Sequence, residues 1–129
     1  MLKALTVKQP FGTLIVRGDK PVENRNWETR HRGLLAITTS KAPADEESWE
    51  FCQGILKRRL DPKDFPRGAI VGVVKLASIV QRSRSPWFVG DYGFVMQEPV
   101  EFAKPIPCRG QLNVWTLSEE LEKLVRARL

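Results

Sequence analysis

Lys20, Glu23 and Arg25 fall within six consecutive positions, just after the turn-forming Gly18. Side chains of an extended segment alternate between faces, so Glu23 and Arg25 project to the same side. Lys20, at the entrance to that segment, reaches the same carboxylate. A Lys-Glu-Arg group on a cleft wall holds one carboxylate in place and offers two cations to phosphates or a base edge. The plainer alternative is an ion-paired surface strand, which adds little to stability. Composition and spacing leave both open.

Other chemistry is scarce. The chain has no phosphate-cradling Gly-rich loop ending in Lys-Ser/Thr and no HExxH. His31 is the one histidine, and Arg30 and Arg32 beside it mark an exposed basic turn. A Ser-His-Asp or Cys-His mechanism would have to use it. Two distant cysteines, Cys52 and Cys108, with a single histidine do not make a zinc ligand set. They read as reduced thiols of a cytoplasmic protein, and no cofactor or metal is expected.

Aromatic side chains are the second source of candidates. Trp27, Trp87 and Tyr92 could stack on bases, whereas Trp49 and Trp115 read as core. Trp87 follows Ser85-Pro86 in a polar loop, the context that best favours exposure. Ser40 and Lys41 sit just past a strand end, where side chains often line a cleft. Lys57-Arg58-Arg59 reads as a solvated helix end.

These residues need elements to position them. Leu2 to Val7 reads as a strand with Leu5 and Val7 on one face. Gln9-Pro10 opens a short helix in which Phe11, Leu14 and Ile15 recur before Gly18. Pro21 to Trp27 is extended and Leu34 to Thr39 is a β-prone strand. Trp49, Cys52, Ile55, Leu56 and Leu60 give helical spacing over 44–60, with acids early and bases late. Ala69 to Val80 is the most apolar stretch and reads as a buried central strand. After the loop 81–90 come strands at 92–96, 100–102 and 105–108, where Pro99, Pro105 and Pro107 belong at edges or bends. A last strand at 111–115 leads through a Thr116/Glu119 capping box into a helix over 117–128. The expected class is α+β: a small barrel or curved sheet of five or six mostly antiparallel strands with flanking helices.

The whole 129-residue chain fits one domain, residues 1–129, with 42% hydrophobic and 28% charged residues. No apolar run approaches the roughly 20 residues that span a bilayer, and the first residues lack a secretory leader. Lys plus Arg number 21 against 15 Asp plus Glu, so the net charge is 21 − 15 = +6, with a pI near 9.7. That balance invites nucleic acid, although charge alone also serves solubility.

Four blocks share an order and spacing with a known family. They are Gln9-Pro10-Phe11 with Gly18-x-Lys20-x-x-Glu23-x-Arg25 and Trp27; Arg32-Gly33-Leu34-Leu35-Ala36-Ile37 with Thr39-Ser40-Lys41; Pro66 to Val74; and Pro105 to Gln111. Over 5–115 the chain resembles ASCH domains of the PUA-like superfamily. The resemblance implies a PUA-like small β-barrel and a cleft beside the Lys-Glu-Arg strand that takes RNA, other single-stranded nucleic acid or a modified nucleoside. Gln9, Lys20, Glu23, Arg25, Ser40, Lys41, Trp87 and Tyr92 are the nucleic-acid candidates. Some relatives are amidohydrolases that deacetylate N4-acetylcytidine, and a few cleave RNA. An enzyme of that kind would use Lys20 and Glu23 here, Glu23 standing where the amidohydrolases carry a threonine. A module that kept the fold and binds another protein is the third reading.

Overall fold

The computed structural model describes all residues, 1–129. In chain order the elements are β1 (Lys3–Val7), α1 (Phe11–Arg17), β2 (Val22–Arg25), β3 (Gly33–Thr39), α2 (Glu46–Leu56), a short 3-10 turn (Pro62–Asp64), β4 (Ala69–Val80), β5 (Tyr92–Pro107), β6 (Val114–Thr116) and α3 (Glu119–Arg126). Six strands form one sheet in the order β2-β5-β4-β3-β1-β6. The β1–β3 pair is parallel and the other four pairings are antiparallel. The sheet curls into a half-barrel with three helices, an α+β architecture.

Irregular pairing accounts for the curl. Register shifts interrupt β4–β5 at three places and β3–β4 between Ile37 and Thr38, and each such bulge bends and twists a strand. Gly72 lies at one of them. A Cβ there would sit 2.0 Å from the Val100 carbonyl oxygen and 2.9 Å from Val16 on α1. Only glycine lets the helix and the bulged strand come that close.

The alternation along each strand sends apolar side chains to two faces. Leu5, Val7, Leu35, Ile37, Val74 and Phe94 pack under Ile15 and Val16 of α1. Ala4, Ala36, Ile70, Val73 and Phe102 turn the other way, toward Leu117 and Val125 of the α3 segment. A third cluster, Leu14, Val22, Cys52, Phe65 and Trp87, fastens α2 and the 85–89 loop to the rim of the sheet.

Several boundaries differ from expectation for identifiable reasons. The three extended pieces after residue 92 are one long strand, β5. Its outer side is paired by β2 only over Tyr92–Val95, so the three prolines lie along an open edge where no ladder bond is lost. Thr116 is not a helix cap: it pairs with Lys3 in the sheet and accepts from Lys3 Nζ at 2.7 Å. Ser118 caps α3 instead, accepting from Leu121 N. Helix α2 ends at Leu56, and Lys57 adopts a left-handed conformation after it, so the basic triplet lies outside the helix.

Candidate functional site

Helix α1 terminates at Gly18, whose φ of 88° closes the turn with an N–H to Ile15 O. That left-handed conformation suits glycine. The chain reverses, Lys20 N bonds to Leu14 O at 3.1 Å, and the Lys20 side chain is carried beneath the helix. It is 1% exposed. Its ammonium donates to Val22 O at 2.6 Å and to Glu23 Oε1 at 2.8 Å, and lies 5.1 Å from the Phe11 ring centre.

Glu23 takes its second cation from Arg25. Arg25 Nε donates to Glu23 Oε2 at 3.1 Å, and Nη2 lies 2.9 Å from the same oxygen as an ion pair. Nη2 also donates to Thr6 O at 2.9 Å, and the guanidinium lies over Trp27. Side-chain exposures of 1%, 8% and 22% for Lys20, Glu23 and Arg25 rule out an ion-paired surface strand. Burial pushes the Glu23 carboxyl up, but the charges of Lys20 and Arg25 and their hydrogen bonds outweigh it, holding that carboxyl below its usual range.

Two concave lobes meet at this triad. The first, about 580 Å³, is lined by Thr6, Lys8, Phe11, Lys20, Glu23, Asn24, Arg25, Asp45, Glu47, Ser48, Phe51 and Val89. The second, about 410 Å³, is lined by Thr6, Arg25, Ser40, Lys41 and the loop from Arg109 to Asn113. Thr6 and Arg25 belong to both. The first lobe has the size of a small-ligand pocket. Its charges balance, three cations against Glu23, Asp45 and Glu47, and Lys8 spans to Asp45 at 3.7 Å.

Lys20, Glu23, Arg25, Ser40 and Lys41 thus lie together on the cleft, whereas Gln9, Trp87 and Tyr92 do not line either lobe. Gln9 is buried, and its amide is consumed by α1: Oε1 accepts from Thr13 N, and Nε2 donates to Thr13 Oγ1 and Pro66 O. Trp87 is 4% exposed, not displayed on a polar loop. Its ring packs edge-on against Phe51, and its carbonyl accepts from Asn24 Nδ2. Tyr92 pairs with Arg25 across β2–β5 and is half-buried on the central cluster.

The aromatic walls of the cleft are Phe11 and Phe51, which the residue pattern did not single out. Phe51 carried a usable signal, since it falls off the 49-52-55-56 stripe of its own helix. Asn24 carried one too: asparagine is disfavoured in strands, and here it grips the 85–89 loop through Trp87 O and Val89 N. Thr6, Asp45 and Arg109 carried none, because a strand threonine, a helix cap and a loop arginine are ordinary in those places.

Comparison with known proteins agrees with this architecture. Activating signal cointegrator 1 from Homo sapiens is 34% identical over 92% of this chain, and that from Mus musculus 31% over the same share. The chain spans about a quarter of the length of these curated relatives, 23% of each. A point mutant of an ASCH protein from Zymomonas mobilis superposes with a TM-score of 0.63 at 16% identity, covering 96% of both chains. ASCH from the same organism gives 0.60 at 16% identity, covering 96% of this chain and 93% of that one. At such identity the likeness is one of fold. The family model for the ASCH domain matches residues 5–107, and the chain belongs to that family.

Proposed function

We propose that the two-lobed cleft binds RNA or another single-stranded nucleic acid, with a base or modified nucleoside held beside Lys20, Glu23 and Arg25. The carrying observation is the buried triad. Desolvating the Lys20–Glu23 pair is a poor way to gain stability, so its burial beside a cleft, with the partly exposed Arg25 held against it, is best accounted for by presenting Arg25 in a fixed pose. Phe11 and Phe51 supply aromatic surface on which a base can stack. Residues 1–129 are read as one domain, since every strand joins one sheet. No helix is long and apolar enough to cross a membrane, and both cysteines are free and buried, which suits the cytoplasm.

The hydrolase alternative has less support. Lys20 Nζ is engaged by Val22 O and Glu23, beneath Phe11, and no hydroxyl stands at position 23 to assist it. Fluorescence anisotropy with single-stranded RNA at low salt tests the binding reading. Micromolar or tighter binding that Arg25→Met weakens supports it, and no binding sinks it. Release of cytidine from N4-acetylcytidine by the unaltered protein, but not by Lys20→Arg, would put the hydrolase first.

A further inference from the structure

The two lobes differ in charge although they share a wall. Lobe one sets three carboxylates against its three cations. Lobe two has Arg25, Lys41 and Arg109 and no carboxylate at all. Neither Lys41 nor Arg109 forms an ion pair elsewhere: the seven ion pairs of the protein involve neither. Both walls of this lobe are anchored to the rest of the fold. Arg67 donates to Lys41 O at 2.9 Å, and the Lys41 stem lies across Gly68, where a Cβ would come within 2.8 Å of its Cγ. The opposite wall is fixed to β1: Gln111 N donates to Thr6 Oγ1 at 3.1 Å. Gly110 allows this approach, since a Cβ there would stand 2.6 Å from Thr6 Cγ2.

We infer that lobe two is a phosphate subsite, and that a strand lies with its base in lobe one and the adjoining backbone phosphate in lobe two. Arg25 is the pivot. Its Nε and Nη2 are committed to Glu23 and Thr6, while Nη1 has no partner within the protein and is free for the anion. Electrostatics sets the direction. A phosphate in lobe one would face Glu23, Asp45 and Glu47, whereas in lobe two it meets three cations and nothing opposing. The same carboxylates suit a base edge, which carries amino and imino donors. The ligand is therefore a phosphodiester of a nucleic-acid strand, and the assignment deepens the proposed binding reading and rests on it.

Two measurements separate the subsite from that reading. In the first, inorganic phosphate is titrated into the full chain and followed by amide chemical shifts. Shifts at Lys41, Gly110 and Gln111, with Asn24 and Phe51 unmoved, are expected. In the second, a short single-stranded RNA and a free nucleoside are bound to Lys41→Gln/Arg109→Gln. The double variant should weaken the RNA about tenfold, since charge-assisted contacts are lost, and leave nucleoside affinity unchanged. The log–log salt slope should become less negative by about 0.7, the release for one phosphate contact on a single strand. RNA binding that survives the double variant, with no phosphate shifts in lobe two, overturns the subsite and spares the cleft reading. Phosphate shifts in lobe two without RNA binding keep the subsite and overturn the cleft reading. Phosphate shifts centred on Lys57 and Arg59 overturn the subsite, and so does a double variant that weakens nucleoside and RNA alike.

Discussion

Glu23 holds an anion between two cations, and the three positions are not equivalent to mutation. Glu23→Gln leaves the Lys20 ammonium buried with no counter-charge, a situation that costs about 3–5 kcal/mol. Arg25→Met leaves the Lys20–Glu23 pair intact, and Arg25 is the most exposed of the three, so the loss there should be near 1 kcal/mol. Urea unfolding should rank the two in that order, while RNA affinity falls about tenfold or more in Arg25→Met. Equal destabilisation would mean that Arg25 serves the fold and not the ligand. Acid unfolding gives an independent reading of the same carboxyl. Its folded-state pKa is depressed below the ordinary 4.5, so the unfolded chain takes up the proton first as pH falls. The stabilisation is therefore complete above about 4.5 and is lost as pH drops through the folded value. Between pH 6 and 3 the unmodified protein should lose stability more steeply than Glu23→Gln. Matching slopes would show that other acids, Asp45 and Glu122 among them, carry the acid response.

At the scale of elements, the cleft depends on α2 and on the loop that Asn24 anchors. Phe51 stands on the cleft side of α2, off its apolar stripe, with its ring against Trp87. Phe51→Ala should reduce binding by the roughly 1–3 kcal/mol of a lost base stack, with a smaller effect on unfolding because the residue is half-exposed. An unchanged affinity would place the base elsewhere. Ser118→Ala should cost about 1 kcal/mol as the cap of α3, read by thermal unfolding, and should leave RNA affinity alone. The strands of the core were legible because their alternation and the Ala69–Val80 run are dictated by burial alone. The triad was legible for the same reason: Gly18, then a short extended segment, fixes which side chains share a face. Its burial was not, since depth depends on how α1 and the more distant α2 pack around it, which no spacing within the segment fixes. Trp87 failed similarly. A polar loop suggests exposure, but α2 folds back to cover the ring, and nothing local to Ser85-Pro86 announces that. The misplaced cap of α3 came from giving Thr116 to the helix when a pairing with Lys3, more than a hundred residues away, had claimed it for the sheet.

For the molecule as a whole, net charge and local charge make different demands on the same experiment. A surplus of +6 attracts any polyanion, so binding by itself does not separate a built site from a basic surface. Two double variants that remove the same charge do separate them. Lys41→Gln/Arg109→Gln and Lys57→Gln/Arg59→Gln each lower the net charge to 6 − 2 = +4. The first pair lines the cleft, whereas the second lies past the end of α2, where both residues are exposed. If about three phosphates are engaged, the unmodified protein should show a log–log salt slope near −2 on single-stranded RNA. The cleft pair should bring that slope to about −1.4, since the one phosphate held in lobe two is no longer neutralised. The α2 pair should leave it close to −2, with only a modest drop in association rate from the weaker long-range field. Salt titrations of all three proteins against one oligonucleotide decide the matter. Two variants that flatten the slope equally would show a diffuse basic surface, and the cleft would then have no privileged part in holding the strand.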